Sequence, residues 1–213
     1  MIAAQIDKGI RPMFSALAVP TPWLLAAYVC GAMPWSVWLG RLLYSTDPRD
    51  QRDANPGAAN SFRSAGWRLG VAVLTLDFLK AFIPVAAARW LGNLPDEQLF
   101  WVALAPTLGH AFSVFLRFRG GRGITVMFGV WAGLTLYRIP LLLGVAAIVV
   151  VMLFRNDERR ALAIPLALLA FLVLTHGSGW MLLLAAAQLL VLILKIAVFF
   201  TRQYRHHRDG LSE

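Results

Sequence analysis

The chain has 213 residues, of which 59% are hydrophobic and only 15% charged, with a mean hydropathy of +0.65. That balance excludes an ordinary soluble domain, whose surface needs more polar residues, and the apolar residues come in long runs rather than helical or strand stripes. A net charge of +9 admits nucleic acid, anionic lipid or an anionic substrate, and nucleic acid is set aside because no recognition-helix or zinc-finger pattern accompanies the arginines.

Residues 1–17 hold Asp7, Lys8 and Arg11 without an apolar block behind a basic start, so they do not read as a cleaved signal peptide. Seven apolar segments follow, at about 19–40, 69–91, 98–116, 123–137, 139–154, 161–175 and 178–200. The fourth and fifth are short for full spans, which suits a tight helical hairpin or a partly re-entrant segment. The expected fold is all-α: one polytopic membrane bundle over 1–213 with about seven transmembrane helices. Its N-terminal segment is 1–17, its motif loops are 41–68 and 117–123, and its tail is 201–213. Cys30 lies inside the first apolar run, reads as a small core residue and has no partner for an internal disulfide. Trp23, Trp35, Trp38, Trp67, Trp90, Trp101 and Trp180 mostly fall near span ends, as interfacial anchors do.

The basic residues orient this layout. One side collects five arginines over 41–68, three over 117–122, three over 155–160 and three over 202–208. The other side holds Lys8, Arg11, Arg89 and Arg138, while Lys80 and Lys195 fall within spans. The positive-inside rule then predicts an outside amino terminus and a cytoplasmic carboxyl terminus.

Two loops on the basic side carry the chemistry. The first contains Asn55-Pro-Gly-Ala-Ala-Asn60, small residues that let backbone N–H groups approach an anion, with amides at both ends. Asn-Pro-Gly is equally strong turn chemistry, and by itself the loop reads better as a turn. The second runs from His110 to Gly120-Gly-Arg-Gly123, where a glycine-rich turn, a guanidinium and a helix start come together. That is either a phosphate or carboxylate cradle or a turn flanked by positive-inside arginines, and it lacks the spacing of a Walker A loop. Asp77 and Lys80 stand three apart within the second span, an intrahelical pair that supports the bundle or marks a cavity. His206 and His207 belong to a basic tail suited to anionic head groups. Four histidines and one cysteine without ligand spacing imply no metal, and no cofactor is implied.

The same residues resemble the motifs of the bacterial acyl-phosphate:glycerol-3-phosphate acyltransferases (the PlsY type). The first family motif, Gly-Ser-Gly-Asn-x-Gly-Ala-Thr-Asn-x-x-Arg, is matched by Arg52-Asp-Ala-Asn55-Pro-Gly57-Ala58-Ala-Asn60-Ser-Phe-Arg63. Asp47-Pro-Arg49 resembles the family's Asp-x-Arg, Gly31-Ala-Met-Pro34 its Gly-Ser-Ile-Pro, and Leu76-Asp77-Phe-Leu-Lys80 its Leu-Asp-x-x-Lys. Gly109-His110-x-Phe112 through Phe118-Arg-Gly120-Gly121-Arg122-Gly123 is the nearest match, to the second motif. The family serine is Asp53 here, an anion that needs a neighbouring arginine such as Arg52 if it is not to repel phosphate. The family lysine is Arg122. For the third motif, His-Arg-Glu-Asn-x-x-Arg, this chain offers Thr201-Arg202-Gln203-Tyr204.

The resemblance implies a multi-pass protein of the bacterial inner (plasma) membrane. It would move an acyl chain from acyl phosphate to glycerol-3-phosphate, forming lysophosphatidic acid in phospholipid synthesis. By the same resemblance Arg63 binds phosphate, Arg122 stands beside the acyl phosphate and Asn55 shapes the site. Gly120, Gly121 and Gly123 hold glycerol-3-phosphate, with Arg49, Asn60 and His110 as further substrate contacts. The alternatives are a relative that binds lipid or phosphorylated ligand without turnover, and a small transporter of an anionic solute.

Overall fold

A computed structural model describes residues 21–51, 53–154, 157–175 and 178–209, with backbone alone at 157–158, 200 and 202–209. The amino-terminal segment 1–17, Arg52 and the side chains of His206 and His207 lie outside the described residues. Eight helices follow one another, with no strand among the described residues: α1 Thr21–Ala32, α2 Trp35–Tyr44, α3 Ala58–Ala86, α4 Asp96–Ala111, α5 Ile124–Thr135, α6 Arg138–Leu153, α7 Asp157–Leu174 and α8 Gly179–Asp209.

Three apolar stretches are long enough to cross a bilayer: Ala58–Leu91, Asp96–Leu116 and Gly179–Phe199. A fourth arises if α1 and α2 count as one span bent by 41°. The first expected span is therefore broken. Pro34 has no N–H to continue the ladder, so carbonyls at the end of α1 need other donors. Ser113 Oγ donates to Ala32 O at 2.5 Å and Lys80 Nζ to Met33 O at 2.9 Å. The break thus fixes two residues of other segments beside it.

Helix α3 starts well before the expected residue 69 and is itself interrupted. Ala65 (φ −141°) and Gly66 (φ +77°) leave helical geometry, and only glycine adopts the second conformation without strain. The first turns, Ala58–Ser64, therefore set off in a different direction from the membrane helix behind them. Phe62 folds back onto Gly70, where a Cβ would collide with its ring. This short first arm carries Asn60 and Arg63.

Helix α3 packs chiefly on α5, and α1 on α4, with α8 against α4 and α7. Both main contacts use small residues to bring backbones together, the arrangement that favours helix association in lipid. Gly31 and Gly109 place α1 on α4, with no room for a Cβ against Pro106 and Tyr28 carbonyls respectively. Gly129 and Gly133 do the same for α5 against α3. Buried polar groups add hydrogen bonds across the bundle: Trp131 Nε1 donates to Gln188 Oε1 at 2.9 Å, and Gln188 Nε2 to Thr107 Oγ1 at 3.1 Å. Trp131 itself is fully buried at the centre of the main apolar cluster.

The fourth and fifth apolar segments form separate helices of 12 and 16 residues joined by a turn at Leu136–Tyr137. At 1.5 Å per residue α5 is roughly 18 Å long. Near its carboxyl end Trp90 Nε1 donates to Gly133 O at 2.9 Å.

Candidate active site

The first motif loop is anchored by Asp47. Its carboxylate accepts from Arg49 N at 2.9 Å and Arg49 Nη2 at 2.6 Å, and from Arg41 Nη2 at 2.9 Å. Burial raises the Asp47 carboxyl, but the bonds and charge of Arg49, with Arg41, outweigh it and hold the group at about 2, below its ordinary 3.8. A carboxyl lowered on folding stabilises fully above about pH 4 and loses that contribution as pH falls towards 2. Asp47→Asn should destabilise the loop by roughly 1–2 kcal/mol at neutral pH. Limited proteolysis should register this as faster cleavage near residues 45–55; an unchanged pattern would remove Asp47 as the anchor.

Beyond the anchor, Asp53 gathers the motif residues. Its Oδ1 accepts from Asn60 Nδ2 at 2.6 Å and from Asn55 N at 3.3 Å, and its Oδ2 pairs with Arg122 Nη2 at 3.1 Å. The expected arginine partner is thus supplied by the second motif, across 69 residues of chain. Asn60 Oδ1 in turn accepts from Arg63 Nη1 at 2.8 Å, and Asn55 Oδ1 from Arg122 N at 3.0 Å. Asn55, Asn60, Arg63 and Arg122 form one bonded group around a part-buried carboxylate.

The glycines of the second loop divide the work. Gly120 N donates to Ala111 O at 3.2 Å and Gly121 N to His110 O at 3.0 Å, so both N–H groups close the loop onto the end of α4. The N–H groups of this loop that the helix leaves without an intrahelical partner come one step later. Gly123, at φ +81°, turns the chain into α5, whose first N–H groups, Ile124 to Val126, have no partner within the helix. The start of α3 at Ala58 opens onto the same space.

Beneath lies a buried chain of charge. Lys80 Nζ sits 2.7 Å from Asp77 Oδ1 and 2.9 Å from His110 Nδ1, besides its bond to Met33 O. On the other side Lys195 Nζ donates to Ala111 O at 2.9 Å, placing a cation at the carboxyl end of α4.

Two cavities adjoin at this group. One, of about 570 Å³, is lined by Arg41, Arg49, Arg119, Gly120, Lys195 and Phe199. The other, of about 420 Å³, is lined by Arg63, His110, Gly123, Ile124, Arg160 and apolar residues including Leu74 and Ile164. Asp53, Asn55 and Arg122 line both. Of the residues singled out in the sequence, Asn55, Arg63, Arg122, Gly123 and His110 meet at the smaller cavity, and Asn60 bonds to them. Arg49 and Gly120 face the larger one, and Gly121 lies between Asn55 and His110. Arg160 and Lys195 were read only as an orienting charge and an in-span lysine. Arg160 Nε donates to Phe154 O at 2.7 Å, which ties α7 to the end of α6 at the cavity rim. No group of three or more potential metal ligands occurs among the described residues.

The described residues thus form an all-helical protein, like an integral membrane one in its apolar stretches, with two basic cavities divided by a part-buried amide–carboxylate–guanidinium group. The chain belongs to the glycerol-3-phosphate acyltransferase family, whose model matches residues 21–210. It is 35% identical over 187 residues to the glycerol-3-phosphate acyltransferase of Fusobacterium nucleatum, covering 86% of this chain and 89% of that one. With the enzyme of Trichlorobacter lovleyi it shares 42% over 112 residues, 53% of this chain, and there it spans only 57% of the relative's length. The crystal structure of PlsY (YgiH), an integral membrane glycerol 3-phosphate acyltransferase in its glycerol 3-phosphate form, superposes with a TM-score of 0.76. Identity is 26%, with 90% of this chain and 93% of that one covered. These relatives are all named as acyltransferases, which lends no support to a non-catalytic alternative.

Proposed function

We propose that this chain transfers an acyl group from acyl phosphate to glycerol-3-phosphate, releasing phosphate and lysophosphatidic acid. The observation that carries the reading is the shared group Asp53–Asn55–Arg122 between two basic cavities. Two phosphate-bearing substrates must approach each other, and a charged group lining both cavities lets them meet across it. The acceptor hydroxyl attacks the acyl carbonyl, the carbonyl–phosphate bond breaks, and the hydroxyl proton leaves with the phosphate. Fixed N–H groups and guanidinium charges are suited to the oxyanion that develops on the way.

Within this reading Arg63, Arg122 and Asn55 act at the reacting groups. Gly120, Gly121, Gly123, Arg49, Asn60 and His110 shape the substrate positions. The protein sits in the bacterial inner membrane with seven spans, its amino terminus outside and both motif loops in the cytoplasm. The bilayer then offers the acyl donor while the soluble acceptor arrives from water. The test is phosphate release from palmitoyl phosphate by the purified protein, with and without glycerol-3-phosphate. Release that depends on the acceptor is expected. Release indifferent to it, or none from folded protein, would defeat the proposal.

A further inference from the structure

Lysine carries three ammonium protons, and Lys80 has three acceptors around it. Asp77 Oδ1 lies at 2.7 Å and Met33 O at 2.9 Å; a carboxylate and a carbonyl only accept, so Lys80 donates to both. The third proton meets His110 Nδ1 at 2.9 Å. A ring nitrogen that accepts a hydrogen bond carries no proton, so neutral His110 holds its proton on Nε2. That nitrogen has no hydrogen-bond partner among the described residues, although the side chain is 7% exposed. The ring lines the smaller cavity, and Gly121 passes so close to Nε2 that a Cβ there would strike this atom.

We infer that His110 serves the site as a fixed N–H donor to an oxygen of the phosphate-bearing ligand, with its tautomer set by Lys80. This rests on the phosphate-handling reading of the cavity. A general-base role at Nε2 needs a lone pair there, and this tautomer has none. Asp77 is one step further back: it holds the Lys80 ammonium that holds the ring. Lys80 and Asp77 are positioning residues, buried in the bundle yet acting on the ligand through His110.

The tautomer is read directly from nitrogen-15 spectra of histidine-labelled protein in lipid nanodiscs, with His110 assigned by the loss of its signals in His110→Gln. A protonated Nε2 with bare Nδ1 is expected, and glycerol-3-phosphate should shift the Nε2 resonance. Lys80→Met should mix the two tautomers at this ring; an unaltered single tautomer there would remove Lys80 from the role. Turnover supplies the second arm. His110→Leu should lose about a hundredfold, whereas His110→Gln, which keeps an N–H donor, should retain at least about a tenth of the wild-type rate. A proton on Nδ1, or a glutamine variant as inactive as the leucine one, overturns the inference. Absence of acyl transfer from wild-type protein would defeat the proposed reaction alone, because the spectra and their response to glycerol-3-phosphate do not depend on turnover.

Discussion

Gly121→Ala should lower acyl transfer by at least about a hundredfold while leaving a protein that folds and inserts. The added methyl would strike His110 Nε2 and come to 3.1 Å from both Asn55 Oδ1 and the Pro56 carbonyl oxygen. The severe clash is with a side-chain atom, so the ring moves before the helix backbone does, with smaller adjustments at Asn55 and Pro56. Those movements displace the ring that faces the cavity and the amide that receives Arg122 N. Gly120→Ala, one residue earlier, should behave differently. Its methyl would be driven into the His110 carbonyl and to 2.9 Å from Ala111 O, backbone atoms at the end of a packed helix. That variant should fail in stability, with a lower melting temperature and yield. Paired measurements of turnover and thermal melting separate the two. A Gly121→Ala enzyme at the wild-type rate would show that the placement of the His110 ring does not matter for turnover.

The second large effect concerns the point at which this chain departs from its family. Asp53 stands at the motif serine and Arg122 at the motif lysine, and the two side chains are paired at 3.1 Å with about 11% and 10% exposure for arginine and aspartate. Asp53→Ser would leave a part-buried guanidinium without this carboxylate and Asn60 Nδ2 without its acceptor at 2.6 Å. Arg122→Lys would leave the carboxylate with a shorter, non-planar partner. Each single change should reduce turnover tenfold or more, at about 1.4 kcal/mol per tenfold. The double variant restores the family's pairing of residues and should be less impaired than the product of the singles predicts. A coupling of about 1–3 kcal/mol is expected. Strict additivity would mean that the two substitutions are unrelated.

How far this could be read from sequence depends on the kind of feature. Apolar runs report lipid directly, so the helices fall near their expected places. The breaks at Met33–Pro34 and Ala65–Gly66 were hidden inside or beside those runs, because hydropathy is blind to backbone geometry. Pro34 and Gly66 were the only local signals. The glycine loop was visible as a turn next to a helix start. Its assignment of donors was not: Gly120 and Gly121 N–H groups close the loop, and only the packing of that loop on α4 shows it. Arg160 looked like any positive-inside arginine, and its place in α7 puts it at the cavity. Asp53 pairs with Arg122 from the other loop, a contact that sequence spacing does not reveal, while the adjacent Arg52 lies outside the described residues.

The brevity of α5 has a consequence for depth. Its 12 residues rise roughly 18 Å, against a hydrocarbon thickness of about 30 Å. Trp90 bonds to Gly133 near one end; in the proposed membrane placement, with Trp90 at the interface, the shortfall accumulates at the other end, where Gly123 begins the helix. In that placement the mouth of the smaller cavity would lie about 10 Å below the level that a full-length span would reach. An amphiphile whose tail stays among the lipid chains does not have to climb out of the leaflet to present its head group there. Thick bilayers would submerge that mouth further, and thin ones would bring it to the water, so lipid chain length itself becomes a control on access.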